Sequence, residues 1–498
     1  MSTLNAAVEL LARNLELHPD KPAYFCGEQS ISYRKLDEEC RLFYLLLRER
    51  GILPGERVLI LLPDTFAFPV AFLGSLLAGV IAVVASGLLR EEDFSYILEE
   101  SGARLLVTHP DLSALCAAVG DGVDLIISGD DGSFGVPDVS LGECHPYRPS
   151  ADDFAFMLYS SGSTGKPKGI PHRHQDLLLP CELVGSNILG ITTDDVIFSA
   201  SKLSFAYGLI NSLAFPLFFG ATAVIHPGKP DPAAILHIIR NRLPTIFFSV
   251  PTIYSQLILS CTDTQLALPM RICYSAGEAL AVAIYEEWQR LTGLELVDGI
   301  GSTEMLYVYI SNRPGETRPG SIGQTVPGYQ IRLVDDDGYD VPPGIEGNLL
   351  VKGATMAPHY WNLAEKSGGT MLPDGYCRTG DVSLELDGFY YYKGRSDDMI
   401  KAGAYWVSPV PVEEALLSHP AVAECAVAAV TVGAFIKPGA FLVLAPGTEG
   451  TPDLVWNLRD YLISRLPGYM CPARFKIVEE LPRTATGKIQ RFRLTDRT

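Results

Sequence analysis

The chain has 498 residues, 47% of them hydrophobic, which is enough for two or three domains with large buried cores. Its net charge of −19 argues against nucleic acid as a partner, because phosphate backbones select basic surfaces. The ten cysteines include no C-x-x-C pair, and no charged-then-apolar signal segment follows Met1. Both observations predict a cytoplasmic protein with reduced thiols.

The first 150 residues alternate helical and strand patterns. Helical spacing covers Leu4 to Asn14, whereas the apolar runs Arg57–Leu62 and Ala103–Thr108 are typical of buried strands. Such alternation predicts a parallel sheet with helices on its faces. Residues 128–152 are rich in Gly, Asp, Ser and Pro and predict a connecting loop.

An uncharged stretch from Phe68 to Leu89 is long enough to be considered as a membrane span. Prolines and glycines interrupt it, and the pattern favours a buried helix from about Pro69 that stops at Gly79. The run Val80–Val84 then predicts a buried strand. Helix followed by strand fits an α/β layer better than a bilayer, so we expect no membrane span.

A Gly- and Ser-rich segment, Y-S-S-G-S-T-G-K-P-K-G-I-P-H-R-H from Tyr159, follows an apolar run that predicts a buried strand over Phe154–Tyr159. It is not a Walker A loop, since the Gly162–Gly165 spacing is too short and Pro167 replaces the magnesium-binding hydroxyl. A flexible surface loop is the alternative, but a strand leading into such a loop favours phosphate binding. The candidate donors are Ser160, Ser161, Gly162, Ser163, Thr164, Gly165, Lys166 and Lys168.

The string S-S-G-S-T-G-K-P-K-G resembles the phosphate loop of the adenylate-forming superfamily, which comprises acyl-CoA synthetases, carrier-protein adenylation domains and luciferases. Further matches follow in order: D-G-I-G-S-T-E-M from Asp298, D-G-Y-C-R-T-G-D ending at Asp381, G-R-S-D-D-M-I from Gly394, and P-R-T-A-T-G-K ending at Lys488. The resemblance implies an α/β fold with a large N-terminal domain of layered sheets and helices (1–394). A small mobile α+β C-terminal domain (395–498) follows it.

The C-terminal segment has its own α+β pattern. Helical spacing covers Val412–His419, and Glu424–Val430 is typical of a buried strand. A second helix is predicted to run to about Leu466, with Thr451 as its N-cap and Pro452 at its first position.

The resemblance also implies roles in nucleotide binding. The adenine and nucleotide motifs would be supplied by Ala276, Gly277, Glu278, Asp298, Gly299 and Ile300. Thr303 would lie at the α-phosphate, Glu304 would bind Mg²⁺, and Asp381 with Arg395 would bind the ribose. Thr164, Glu304 and Lys488 would act in catalysis, with Lys488 reaching the carboxylate and the α-phosphate.

The motif F-A-Y-G at Phe205 is similar to that of benzoate-type aryl-CoA ligases in particular. Plain core packing is the alternative for these aromatic residues. By the resemblance, the acid lies in a short aromatic pocket for one ring, lined by Phe205, Ala206, Tyr207, Gly301, Tyr307 and Val308. Benzoate-type enzymes commonly have His where this chain has Tyr307, which could shift the preference toward an aminobenzoate.

The family's two half-reactions imply a hinge and a channel. Asp397 falls at the hinge, and Gly403, Ala404 and Tyr405 at the pantetheine channel of coenzyme A. The family usually has Ser-Gly where this chain has Gly403-Ala404, so the methyl group of Ala404 is expected to narrow the channel.

The resemblance therefore predicts an ATP- and Mg²⁺-dependent ligase. It would activate benzoate or a substituted benzoate such as 2-aminobenzoate as acyl-AMP and transfer it to coenzyme A. One alternative is a free-standing adenylation enzyme that loads an acyl carrier protein, and another is a non-catalytic nucleotide-binding relative. A homodimer is the assembly considered.

Overall fold

The computed structural model describes residues 4–116, 123–129, 132–134, 144–160, 166–261, 267–402, 405–433, 435–483 and 489–494. Within them the chain forms a large N-terminal domain of several sheets and helices and a C-terminal domain, which confirms the predicted α/β class.

Five of the described α-helices start at a side-chain cap: the side chains of Asn5, Ser32, Asp231, Ser408 and Thr451 each accept a hydrogen bond from a first-turn N–H group. In chain order the helices are α1 Ala6–Leu17, α2 Tyr33–Glu49, α3 Ala67–Leu77, α4 Glu91–Ser101, α5 Ser113–Cys116, α6 His174–Pro180, α7 Ala206–Leu209, α8 Phe215–Phe219, α9 Pro232–Arg242, α10 Pro251–Ser260, α11 Val282–Thr292, α12 Ala364–Thr370, α13 Pro409–Leu417 and α14 Pro452–Ile463.

The strands of the large domain are β1 Pro22–Cys26, β2 Gln29–Ser32, β3 Arg57–Leu61, β4 Ile81–Val84, β5 Leu105–Thr108, β6 Asp124–Ile127, β7 Phe154–Ser160, β8 Lys168–Arg173, β9 Val196–Ser199, β10 Thr222–Ile225, β11 Ile246–Ser249, β12 Ile272–Ala276, β13 Leu296–Gly301, β14 Val308–Ser311, β15 Gln324–Thr325, β16 Gln330–Val334, β17 Gly347–Lys352, β18 Cys377–Leu386 and β19 Phe389–Arg395. Those that follow are β20 Ile400–Ala402, β21 Tyr405–Val407, β22 Val422–Val432, β23 Phe435–Leu444 and β24 Arg474–Ile477.

Among the described residues, three sheets build the large domain. One has the order β15-β14-β13-β12-β11-β9-β10-β1-β2, a second the order β6-β5-β3-β4-β7-β8, and a third is the antiparallel sheet β16-β17-β18-β19. In the second sheet the five strands β6, β5, β3, β4 and β7 run parallel to one another, as the alternating pattern predicted. The sixth strand, β8, runs antiparallel to β7. The phosphate-loop segment is therefore the connection of a hairpin at one edge of this sheet.

The apolar stretch that could have suggested a membrane span is a core element of the large domain. Every residue of α3 is buried, Gly79 takes a left-handed conformation (φ +73°), and β4 follows inside the sheet. Of the helices that the structure describes, none has the length and apolar character needed to cross a bilayer.

The C-terminal domain contains the sheet β22-β23-β24 with α13 and α14 packed on it. Val412 and Leu416 of α13 and Leu458 and Leu462 of α14 are buried in one cluster with residues of β22 and β23. Thr451 caps α14, since its hydroxyl accepts a hydrogen bond from the Leu454 N–H at 3.2 Å, as predicted. The helical spacing at 412–419 corresponds to a helix that starts three residues earlier, at Pro409.

One buried carboxylate joins three neighbouring strands of the nine-stranded sheet at their starts. Asp195, just before β9, receives two hydrogen bonds from the Arg271 guanidinium, at 2.8 and 2.7 Å, and one from Thr245 at 2.7 Å. Burial acts to raise the pKa of Asp195, but these hydrogen bonds outweigh it and leave the pKa below its ordinary value.

We expect Arg271→Ala to lower the free energy of unfolding by about 2 kcal/mol at pH 7, because it leaves a buried carboxylate short of donors. A carboxyl pKa that is lowered in the folded state stabilises above the unfolded pKa, and this contribution is lost as the pH falls through the folded pKa. The difference from wild type should therefore shrink below about pH 4. Thermal unfolding of the variant and the wild type, from pH 7 to below about pH 4, measures this difference in stability. Arg34→Ala, which removes an exposed pair with Asp20, is the control and should cost far less stability. Equal losses in the two variants would contradict the prediction.

Candidate active site

The hairpin β7–β8 fixes both ends of the predicted phosphate loop. Ser160 lies directly opposite Lys168 in the antiparallel pairing, and the Ser160 hydroxyl is buried without a partner among the described residues. Lys166 lies over the Tyr96 ring, with Nζ 4.6 Å from its centroid. Ser161, Gly162, Ser163, Thr164 and Gly165 lie outside the described residues, so their predicted roles stay predictions.

Lys168 faces Glu304 across a tyrosine. Its Nζ lies 3.9 Å from Glu304 Oε1 and 3.2 Å from the Tyr360 hydroxyl, which itself donates to Glu304 Oε1 at 2.7 Å. Burial lowers the pKa of Lys168, and the Glu304 carboxylate only partly offsets this effect. The fold thus brings together Lys168 of the predicted phosphate loop and Glu304, the predicted magnesium ligand, which are 136 positions apart in the sequence.

The backbone around Glu304 is held at three successive carbonyls. His172 Nε2 donates to the Thr303 carbonyl at 2.9 Å, the Ala357 N–H to the Glu304 carbonyl at 2.8 Å, and the Thr355 hydroxyl to the Met305 carbonyl at 2.8 Å. The next residue, Leu306, has a left-handed φ of +63°, which is costly for a branched side chain. Such strain persists only where neighbours fix the backbone, as they do here.

The predicted ribose-binding pair lies on neighbouring strands. Asp381 on β18 is opposite Arg395 on β19, and Arg395 Nη1 lies 3.2 Å from Asp381 Oδ1 and 3.1 Å from the Thr379 carbonyl. Asp381 is largely buried. This arrangement gives one carboxylate of fixed orientation that can accept from two hydroxyl groups.

The predicted adenine turn is formed where β12 ends beside β13. Ala276 pairs with Gly299, and Gly277 takes φ +92°, a conformation that favours glycine. A side chain at Gly299 would overlap the Tyr274 hydroxyl and the Ile310 carbonyl, so the sequence needs glycine there. Asp298 is buried beside Ser275, and burial raises its pKa well above the ordinary value.

The predicted pocket for the acid is aromatic. The Tyr207 and Tyr307 rings lie nearly parallel with centroids 5.9 Å apart, and Phe215 packs edge-on against Tyr307 at 5.3 Å. The Tyr307 hydroxyl donates its proton to the buried Asn211 Oδ1 at 2.6 Å and can therefore offer a ligand only an acceptor oxygen. A side chain at Gly301 would overlap the Tyr307 backbone, so glycine is required there too. Partial exposure is shared by Phe205, Ala206, Ile300 and Gly301, whereas Val308, which pairs with Gly301, is buried.

The structure describes only some of the C-terminal residues for which the sequence predicts a hinge, channel or catalytic role. Asp397 lies in the turn Ser396–Asp398 between β19 and β20, where a hinge was predicted. Tyr405 stacks on Tyr469 with centroids 4.5 Å apart, and both are exposed. Gly403, Ala404 and Lys488 lie outside the described residues.

Glu278 connects the two domains. Its carboxylate accepts from the Thr252 hydroxyl at 2.6 Å and lies 3.5 Å from Arg483 Nη1. Arg483 Nη2 also lies 2.8 Å from Glu424 of the C-terminal domain. Arg483 of the C-terminal domain therefore lies against the predicted adenine turn.

Comparison with known proteins decides the family. Residues 11–361 match the AMP-binding enzyme family, and residues 411–488 match the AMP-binding enzyme C-terminal domain. The chain belongs to the AMP-binding enzyme family. This confirms membership of the adenylate-forming superfamily.

Several AMP-binding enzymes are similar to this chain over nearly its whole length. Benzoate–CoA ligase from Thauera aromatica is 42% identical over 98% of this chain and 95% of its own. The crystal structure of a benzoate CoA ligase from Burkholderia xenovorans LB400 is 41% identical, covers 99% of both chains and has a TM-score of 0.92. An anthranilate CoA ligase in complex with anthranoyl-AMP is 37% identical, with a TM-score of 0.92, over 99% of this chain and 96% of that one.

Four residues of this AMP-binding enzyme were assigned no role by the sequence analysis: His172, Asn211, Tyr360 and Arg483. Each acts through a contact with a residue distant in sequence, such as the 96 positions between Asn211 and Tyr307. His172 carried one local signal, its spacing of four residues from Asp176. In the structure, His172 Nδ1 lies 3.6 Å from Asp176 Oδ2.

Proposed function

We propose that this AMP-binding enzyme is an aryl-acid–CoA ligase that activates a small aromatic carboxylic acid as acyl-AMP and transfers it to coenzyme A. The observation that carries the proposal is the stacked pair Tyr207–Tyr307, in which Tyr307 follows Glu304 by three residues along the chain. An aromatic ring held beside this pair would present its carboxylate toward the phosphate site.

The first half-reaction joins two anions, the carboxylate and the α-phosphate of ATP, so its barrier is largely electrostatic. Lys168, the loop donors and Lys488 would offset the repulsion. Asp381 would hold the ribose hydroxyls, and the turn at Gly277 would admit the flat adenine. These roles rest on the matched motifs and on the positions of the described residues around Glu304.

Mg²⁺ fits the site through a single carboxylate. No described residue donates a hydrogen bond to Glu304 Oε2, and the described part of the chain contains no cluster of three or more His, Cys, Asp or Glu able to hold a metal. Mg²⁺ usually takes one or two carboxylates and completes its shell with water and phosphate oxygens, so Glu304 would suffice beside ATP. When bound, the ion neutralises phosphate charge.

The second half-reaction is attack of the CoA thiol on the acyl adenylate. In our proposal the C-terminal domain rotates about Asp397, and pantetheine enters past Gly403, Ala404 and Tyr405. The contact of Arg483 with Glu278 supports a starting arrangement that suits adenylation. A carrier protein in place of coenzyme A is the alternative acceptor. We further propose that the enzyme forms a homodimer. We also propose a cytoplasmic location, which the ten free cysteines support.

Substrate choice tests the ring pocket. Benzoate, 2-aminobenzoate, hydroxybenzoates, cinnamates and a medium-chain fatty acid would be compared by kcat/KM for pyrophosphate release. Because the predicted pocket is lined by the stacked Tyr207 and Tyr307 rings, we expect single-ring acids to exceed the fatty acid by about 10²-fold. An equal or better fatty-acid rate would contradict the ring pocket, and no release with any acid would support the non-catalytic alternative.

A further inference from the structure

Tyr360 lies between the two oppositely charged groups of the phosphate site. Its hydroxyl donates to Glu304 Oε1 at 2.7 Å and accepts from Lys168 Nζ at 3.2 Å, while Lys168 Nζ also lies 4.4 Å from the Tyr360 ring centroid. Lys168 and Glu304 themselves are 3.9 Å apart, too far for a direct hydrogen bond.

The surroundings hold Tyr360 in this position. The residue is 2% exposed, its N–H donates to Ser367 Oγ at 2.9 Å, and its side chain packs with Ile170 and Ala357. Ala357 in turn donates its N–H to the Glu304 carbonyl. These contacts fix the Tyr360 hydroxyl relative to the backbone that carries Glu304.

The hydroxyl has two physical effects on the pair. The hydroxyl donates to Glu304 Oε1, whereas Glu304 Oε2 receives no hydrogen bond from any described residue. It also keeps a compact ammonium group away from a carboxylate with which it would otherwise form a direct ion pair in a poorly hydrated site. Such a pair would engage both groups and compete with phosphate for Lys168 and with a cation for Glu304.

We propose that Tyr360 is a positioning residue that orients Glu304 toward Mg²⁺ and prevents Lys168 and Glu304 from pairing directly. This inference rests on the proposed function, in which Glu304 binds the Mg²⁺ of MgATP. Residues that orient a metal ligand typically change metal affinity 10- to 100-fold when they are removed.

The test is ATP binding to the whole enzyme by calorimetry at a series of free Mg²⁺ concentrations, with no acid present so that nothing turns over. In Tyr360→Phe, the Mg²⁺ concentration for half-maximal binding should rise by about 10-fold. Binding of adenosine, which lacks phosphate, should not change. Tyr33→Phe is the control, because it removes a buried hydroxyl bonded to the Pro216 and Ala221 carbonyls in the distant core. It should keep the wild-type Mg²⁺ requirement.

A double-mutant cycle separates positioning from a general effect on the fold. In a Glu304→Gln background, Tyr360→Phe should cause no further change in the Mg²⁺ requirement, and additive changes would overturn the inference. An unchanged requirement in folded Tyr360→Phe would also overturn it while leaving the proposed function intact. Wild-type ATP binding that does not depend on Mg²⁺ would overturn the metal site itself.

Discussion

Replacing Lys488 by alanine should slow acyl-adenylate formation by about 10²–10³-fold and leave thioester formation from a supplied acyl adenylate near the wild-type rate. The lysine would place positive charge between two reacting anions in the first step only. Arg483, five residues earlier, contacts Thr252 Oγ1 at 3.3 Å and lies close to Glu278, so this part of the C-terminal domain packs beside the predicted adenine turn.

The two half-reactions can be measured separately, as pyrophosphate release with benzoate and ATP, and as thioester formation from synthetic benzoyl-AMP and coenzyme A. Lys437→Ala, an exposed lysine on β23 of the same domain, is the matched control and should leave both rates unchanged. If Lys488→Ala slowed both half-reactions equally, the assignment of Lys488 to adenylation would be wrong.

Asp381→Asn should raise the KM for ATP by about 10²-fold, because two hydrogen bonds to a charged acceptor are each worth about 1.5–3 kcal/mol. The amide keeps the shape of the side chain but can accept at one atom only and donates at the other. It also leaves Arg395, which lies 3.2 Å from Asp381 Oδ1, without its carboxylate partner.

The KM for the aromatic acid should change far less, since the acid pocket at Tyr207 and Tyr307 does not include Asp381. Initial rates at varied ATP and varied acid separate the two effects. Asp387→Asn makes the same chemical change at the exposed turn between β18 and β19, where φ is +54° and asparagine is well tolerated, and should be silent. Similar KM values for ATP in Asp381→Asn and wild type would refute the ribose role.

Local patterns in the sequence were sufficient for several elements, including the strand that leads into the predicted phosphate loop. The apolar run before the phosphate loop predicted β7, the glycine at position 79 predicted the end of α3, and Thr451 predicted the cap of α14. These features depend on neighbours within a few residues, which a sequence displays directly.

The contacts that orient the reactive groups could not be predicted in this way. Tyr360 belongs to none of the motifs and acquires its importance only because the fold brings it to Glu304, 56 positions away. The same is true of Asn211, which determines where the Tyr307 hydroxyl points. Likewise, the resemblance identified Tyr307 as a departure from the benzoate-type pattern, but only the structure shows that its hydroxyl already donates to Asn211.

The most direct test of the central claim is a single incubation of the enzyme with benzoate, ATP, Mg²⁺ and coenzyme A, analysed by mass spectrometry for every product. The proposal predicts benzoyl-CoA, AMP and pyrophosphate in equal amounts, with none formed when the acid or ATP is omitted. Accumulation of benzoyl-AMP without benzoyl-CoA would contradict it and indicate a carrier protein as the acceptor.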